Sequence, residues 1–157
     1  LYGNHTKLTC MIFEMKIRIA NMNDASEIYN LLNNTHELRG FSEGEAYSKS
    51  WLAEVIKEKK RNIFLIAEKD GIIVGFLIAH RIPDKDFLLN DVYVKPEFRG
   101  QGIADGLMLQ FDKIIKLLGS NFSLGLVLPG NKKMQGLFEK RHYKRGHTFY
   151  YYYKERK

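Results

Sequence analysis

The chain has 157 residues, of which 45% are hydrophobic and 27% charged, with a formal net charge of +7. That is enough for one soluble domain with a sizeable core, and no run of eighteen apolar residues offers a membrane span. A single cysteine, Cys10, excludes a disulfide framework and a cysteine-based metal cluster and fits a reducing, cytoplasmic setting. The positive balance favours an anionic partner: a nucleic acid, a phosphorylated cofactor or an acidic protein surface. The basic residues are spread over 57–61, 132–133, 140–145 and 154–157. None of these groups forms a long basic arm, which argues against nucleic acid as the main partner.

Residues 1–14 show no consistent period and begin without methionine. Met11 or Met15 is a more natural start, so this stretch reads as an extension or a vector-derived segment ahead of one domain over 15–157. Its short apolar segment, Leu8–Phe13, lacks a small-residue cleavage site and makes a poor signal peptide. Lys16–Ala20 alternates and reads as a strand. Asn21 to Asp24 caps a helix with an apolar stripe at Ala25, Ile28, Leu31 and Leu32, ending by Asn33 and Asn34. His36 to Gly40 is loop-like. Ser42, with Glu45 three positions on, has capping-box spacing for a second helix whose inward face is Tyr47, Trp51, Leu52, Val55 and Ile56.

Asn62–Lys69 and Ile72–His80 read as two strands joined at Asp70-Gly71, a hairpin turn signal, with Gly75 a bulge or a point of close approach. Pro83 to Asp86 is a turn. Phe87–Val94 is an apolar strand, followed by Pro96 and a glycine-rich turn, Arg99-Gly100-Gln101-Gly102. An amphipathic helix then covers Ile103 to Leu118, and Gly119 ends it. Phe122–Leu128 is a further strand, Asn131 caps a short helix carrying Met134, Leu137 and Phe138, and Tyr143–Lys154 holds the last strand, its aromatic run Phe149–Tyr153 having high β-propensity. The order β-α-α-β-β-β-α-β-α-β predicts an α/β fold with a mixed sheet and helices on both faces.

The strand, tight turn and helix over residues 86–108 carry the first functional signal. A glycine-rich turn opening a helix leaves several backbone N–H groups pointing out together, in the positive potential of aligned peptide dipoles. That suits a phosphate or pyrophosphate, although such a turn is often only a turn. The P-loop pattern is absent, and the dinucleotide fingerprint GxGxxG is not matched, since after Gly100-Gln101-Gly102 come Ile103, Ala104 and Asp105.

Val94-x-Pro96-x-x-Arg99-Gly100-Gln101-Gly102-Ile103-Ala104 resembles the acetyl-CoA-binding segment of the GCN5-related N-acetyltransferase family. The element order over residues 15–153 resembles that fold as well, and so does a second motif running from Asn131 through Met134, Leu137 and Phe138 to His142 and Tyr143. The resemblance implies an acyl-CoA N-acyltransferase fold in which the strands 87–94 and 122–128 splay apart around acetyl-CoA. It implies that the backbone of Val92, Tyr93 and Val94 lines the pantetheine arm. The loop Arg99, Gly100, Gln101, Gly102, Ile103 and Ala104 would hold the pyrophosphate, with Asn131 and Phe138 on the cofactor side. Arg99 is alternatively a solvent-facing turn residue, and Asn131 a plain helix cap.

Acetyl transfer to an amine needs an oriented thioester, a neutral amine, an oxyanion donor and a tolerable leaving thiolate. Asp91, in an otherwise apolar strand beside the expected thioester, is the first candidate base, since burial raises a carboxylate pKa toward a useful range; its alternative is a structural aspartate. His80 is the second, having the right intrinsic pKa. The family's usual acid is the tyrosine of a Leu-Tyr pair, but here that position is Phe138, which has no proton to give. Tyr143 is a catalytic candidate that also reads as core. His36 and Glu37 lie in the loop that lines the acceptor side in the family. His142 replaces the family's glycine and implies an altered or strained turn. No metal site is expected from the five histidines.

The resulting expectation is an N-acetyltransferase with acetyl-CoA as cosubstrate. Its acceptor would be a protein N-terminus, a lysine or a small amine, and the net charge slightly disfavours polyamines unless the site itself is acidic. The alternatives are a non-catalytic coenzyme A-binding or interaction module, and a basic nucleic-acid-binding domain of the same fold. The short last strands leave a sheet edge that a partner chain, as in a homodimer, could complete.

Overall fold

The computed structural model describes residues 15–38, 46–148, 150, 152 and 154. The hairpin builds the centre of the molecule. Strands β2 (Asn62–Lys69) and β3 (Ile72–Arg81) are joined by Asp70 and Gly71, whose φ values of 53° and 76° make the left-handed turn that matches the strand twist. Around them a five-stranded sheet runs in sequence order, from β1 (Met15–Ile19) through β4 (Phe87–Val94) to β5 (Ser123–Gly125). All neighbours are antiparallel except β4 and β5, which are parallel and are joined through a crossover helix, as parallel strands must be.

Helices cover both faces, as the alternating pattern requires. On one side α1 (Ala25–Asn34) and α2 (Lys49–Lys57) bury Ile28, Leu32, Leu52 and Ile56 against Phe64, Ile66, Phe76 and Tyr93. On the other, α3 (Ile103–Leu117) and α4 (Lys132–Lys140) bury Leu107, Phe111, Ile115 and Phe138 against Leu65, Leu77, Phe87 and Leu89. Phe111 and Phe87 meet edge to face at 6.2 Å, a favoured aromatic geometry. This is the expected mixed sheet between two helical layers. Gly75 combines both of its predicted roles. Val74 beside it is the extra residue of a bulge, since Ile73 opposes Glu68 and Gly75 opposes Ala67. A Cβ on Gly75 would stand 2.7 Å from the carbonyl oxygen of Tyr93, so only glycine admits β4 this closely.

Three expectations need correction. First, α2 begins at Lys49, and its cap is Ser48, whose Oγ accepts from the Trp51 N–H at 3.2 Å; Tyr47 therefore precedes the helix. The proposed cap at Ser42 and Glu45 lies outside the described residues, as does the segment 1–14. Second, β5 is three residues long and stops at Gly125; Leu126 and Leu128, 74% and 77% exposed, extend past the sheet instead of into it. Third, no described residue in 143–154 is in a strand, and Tyr150 and Tyr152 are 86% and 88% exposed. Aromatic β-propensity records packing on a pleated surface, and these two rings have none beneath them. Phe149, Tyr151 and Tyr153 lie outside the described residues.

Candidate active site

The site begins where β4 leaves β5. The pairing is confined to Phe87 with Ser123, Leu88 with Leu124 and Leu89 with Gly125. Beyond that the two chains part, because β4 carries an extra residue: Ile78 of β3 opposes Asp91 while Ala79 opposes Leu89, so Asn90 is unopposed. A bulge bends its strand and sharpens the twist. It also resets the alternation of side chains. Phe87 and Leu89 face α3, and so do Val92 and Val94, whereas Tyr93 faces α1 and α2. Asp91 is turned to that same face, opposite Ile78. The bulge thus puts a carboxylate on one side of the sheet just where the backbone edge of β4 becomes free on the other.

The fork is a small cleft of about 40 Å3 lined by Leu89, Asn90, Val92, Leu126, Val127, Met134 and Phe138. The Phe138 ring lies against Gly125, where any added Cβ would overlap it. Helix α4 is tied to α3 by Arg141 to Asp112 at 2.7 Å and Lys140 to Asp105 at 2.8 Å, which holds Phe138 and Met134 over the opening. A larger cavity of about 170 Å3, bounded by Ile19, Lys59, Asn62, Ile63, Phe64, Ile114 and Leu118, lies by the head of β2. Its only polar lining residues are Lys59 and Asn62, so its wall is mainly apolar.

At the far end of β4 the chain turns through Pro96–Phe98 into the glycine loop. Gly100 and Gly102 have φ of 79° and 78°, the left-handed conformation that a side chain resists. Gly102 is the N-cap of α3, and its carbonyl accepts from Gly106. No side chain caps this helix start, so the free N–H groups there remain available to an anion. The Arg99 side chain turns back: its Nε donates to the Val94 carbonyl at 2.9 Å, and Nη2 donates to Glu37 at 2.6 Å. Its guanidinium also stands 5.8 Å from the Tyr93 ring centre. Gln101 accepts a long 3.4 Å bond from Lys69. Arg99 and Glu37 therefore join the glycine loop to the turn His36–Leu38 between α1 and α2. His36 in that turn is exposed.

The α1–α2 face carries a polar group within an otherwise apolar surface. Burial pushes the Asp91 carboxyl above its ordinary pKa, against smaller opposing effects from Asn90 and from His80. Burial likewise holds His80 below its ordinary value, with the charge of Asp91 pulling the other way. His80 Nδ1 lies 2.7 Å from Asn62 Oδ1, its cross-strand partner. Tyr47 is pushed up to about 12, chiefly by burial and further by the Asp91 charge. Its hydroxyl donates to the Leu38 carbonyl at 3.2 Å, and its ring lies 4.8 Å from Trp51.

The remaining sequence candidates fall elsewhere. Asn131 caps α4, accepting from the Met134 N–H at 3.1 Å. The Tyr143 hydroxyl shares a 2.8 Å bond with Ser123 at the closed end of the fork, and its ring meets Phe138 edge-on at 4.7 Å. Tyr143 is not among the residues that line the cleft. His142 has φ of 64°, the strained turn expected from its replacing a glycine. Among the described residues, no group of three His, Cys, Asp or Glu side chains could hold a metal ion, and no helix is long and apolar enough to cross a membrane. Sequence reasoning missed Asn62 and Tyr47. Hairpin counting from Asp70-Gly71 sets Asn62 opposite Ala79, and only the Val74 bulge moves it opposite His80.

Comparison with known proteins gives this geometry a lineage. The model of the acetyltransferase (GNAT) family matches residues 25–143. A spermidine N(1)-acetyltransferase of Thermoplasma acidophilum is 36% identical over 78 residues, which cover 48% of this chain and 48% of that protein. The match thus spans about half the length of this curated relative. Among solved structures, the PaiA N-acetyltransferase from Thermoplasma acidophilum in complex with coenzyme A superposes with a TM-score of 0.72 at 23% identity, covering 82% of this chain and 88% of that one. The aminoglycoside acetyltransferase AAC(6')-Iy, bound to a coenzyme A bisubstrate analogue, gives 0.74 at 17% identity, covering 90% and 99%. A ribosomal-protein-alanine N-acetyltransferase from Brucella melitensis gives 0.69 at 18% identity, covering 89% and 99%. These likenesses establish the fold, and the match of the family model over most of the chain establishes more: this protein belongs to the GNAT acetyltransferase family.

Proposed function

We propose that the protein is an acetyl-CoA-dependent N-acetyltransferase acting on a primary amine by direct attack in a ternary complex. The observation that carries this reading is the Asn90 bulge, which frees the β4 backbone edge on the fork side and turns Asp91 to the opposite face. The free N–H groups at Gly102–Ala104 suit the pyrophosphate. The edge of Val92–Val94 that has no strand partner, its Val94 carbonyl held by Arg99 Nε, suits the amides of the pantetheine arm. The thioester then lies at the bulge, with the amine approaching from the side of α1 and α2. Phe138 and Asn131 flank the arm, and Gly100, Gln101 and Ile103 shape the loop.

The step needs no protein nucleophile, but the ammonium must shed two protons on its way to the amide. The amine nitrogen bonds to the thioester carbonyl carbon, the C–S bond breaks, and the electron pair leaves on sulfur. Asp91 takes a proton from the incoming ammonium, and a carboxyl whose pKa is raised by burial is a stronger base than an exposed one. Phe138 gives the sulfur no acid, but a thiolate is a tolerable leaving group near neutral pH. Among acceptors, a small polyamine is favoured by the spermidine-acetylating relative and by the carboxylate on the acceptor side; a protein N-terminus or lysine is the alternative. The narrow fork and Phe138 favour, as a second reading, a weakly catalytic or non-catalytic coenzyme A-binding module.

The test is release of free coenzyme A thiol by the pure protein with acetyl-CoA and spermidine, a peptide with a free N-terminus, and an aminoglycoside. Calorimetry with coenzyme A runs in parallel. Turnover with any amine supports the first reading. Binding without turnover selects the second, and no binding defeats both.

A further inference from the structure

An ammonium carries three N–H protons, and the amide made from it carries one. Two protons must therefore leave the nitrogen. With Phe138 at the usual acid position, the sulfur departs without a protein proton, so Asp91 alone is one acceptor short. The polar group on the α1–α2 face contains a second. His80 shares that face with Asp91, lying two residues beyond Ile78, which opposes Asp91. The two are near enough for each charge to act on the other. Asn62, at the head of β2, sets its Oδ1 2.7 Å from His80 Nδ1. An amide oxygen only accepts, so this contact requires the proton on Nδ1 and leaves the Nε2 lone pair free.

We infer that Asn62 is a positioning residue which, acting through His80, keeps Nε2 unprotonated and aimed as the second proton acceptor beside Asp91. This rests on the acetyltransferase reading above and deepens it. The nitrogen first gives one proton to Asp91. As the N–C bond forms and the C–S bond breaks, it gives the other to His80 Nε2, making an imidazolium whose Nδ1–H still donates to Asn62. Among the described residues, the groups that act on this pair are Asn62 from β2, Asn90 from β4 and Tyr47 from the segment before α2. Tyr47 has a pKa held near 12 and stays neutral through the working range. The Val74 bulge has a function in this arrangement, because without it Asn62 would oppose Ala79 and His80 would lose its partner.

The experiment uses the full chain with acetyl-CoA and spermidine. Nitrogen NMR of the wild-type imidazole should report the Nδ1–H form for His80. Asn62→Leu should lose that preference and lower kcat about tenfold with KM for acetyl-CoA unchanged. Asn62→Asp keeps an acceptor oxygen and adds a charge that favours the imidazolium. It should recover most of kcat and move the acidic limb of the kcat profile to higher pH. An Nε2–H tautomer in the wild type, an unmoved limb in Asn62→Asp, or full activity in a folded Asn62→Leu overturns the inference while leaving acetyl transfer standing. Should Asn62→Leu not fold, the limb of Asn62→Asp decides. Absence of turnover with every amine, whatever the tautomer, removes the acetyltransferase reading and this inference with it.

Discussion

The two halves of β4 differ more than any other adjoining pieces of the chain. Phe87–Leu89 is hydrogen-bonded on both sides, by β3 and by β5, and Phe87 is 1% exposed. Asn90–Val94 has a strand partner on one side only, its other edge meeting just the Arg99 side chain at the Val94 carbonyl among the described bonds, and it holds a half-buried carboxylate. One extra residue separates the halves. The first half is built for cohesion and the second is left incomplete, with a free backbone edge and an ionisable group that burial disfavours. Unsatisfied capacity of this kind is costly unless something binds there, and strand bulges recur beside active sites.

That contrast can be broken at either end. The largest effect is expected in the cohesive half. Phe111→Ala removes the fully buried ring under Phe87 and should cost about 3–5 kcal/mol in a denaturant melt. In the incomplete half, Asp91→Asn should lower the transfer rate about 100-fold, equivalent to about 2.7 kcal/mol. The same change should raise the melting temperature at pH 7. The sign follows from the direction of the shift: the folded pKa of Asp91 lies above its unfolded value. Its contribution to stability is therefore complete below the unfolded pKa and is lost as pH rises through the folded one. Melting curves of the two proteins should converge in acid and separate towards neutrality; a gap independent of pH would show that burial of the charge is not the cause.

Where the halves meet, Gly125→Ala drives a Cβ into the Phe138 ring. It should cost about 1–3 kcal/mol and weaken coenzyme A binding by displacing Phe138, measured by calorimetry. Asn131→Ala removes the cap of α4 and should cost about 1 kcal/mol. If it weakens coenzyme A binding well beyond that loss, Asn131 has a ligand role besides capping.

Much of this was legible along the chain. The hairpin at Asp70-Gly71, the glycine loop at Gly100 and Gly102 and the α3 stripe are local signals, set by backbone sterics and by a period of 3.6, and each formed where expected. The direction of the Asp91 shift was legible too, since a carboxylate in an apolar strand has few ways to avoid burial. The start of α2 was not, because Ser48 is as competent a cap by residue type as Ser42, and the helix begins at Lys49 behind Ser48. The length of β5 was not, since Leu126–Leu128 has strand composition but no neighbour to pair with.

By itself, then, the amino-acid order determined where the turns fall, which residues are apolar enough to form two helical layers around a sheet, and where an anion would find free N–H groups. These depend on steric and dipolar interactions within a few residues. Only the tertiary structure decided the two bulges, at Val74 and Asn90, and through them which side of the sheet Asp91 faces and which residue His80 meets. The physical reason is that strand register is a joint property of two strands and the layers packed on them, so a single unopposed residue changes every partner beyond it.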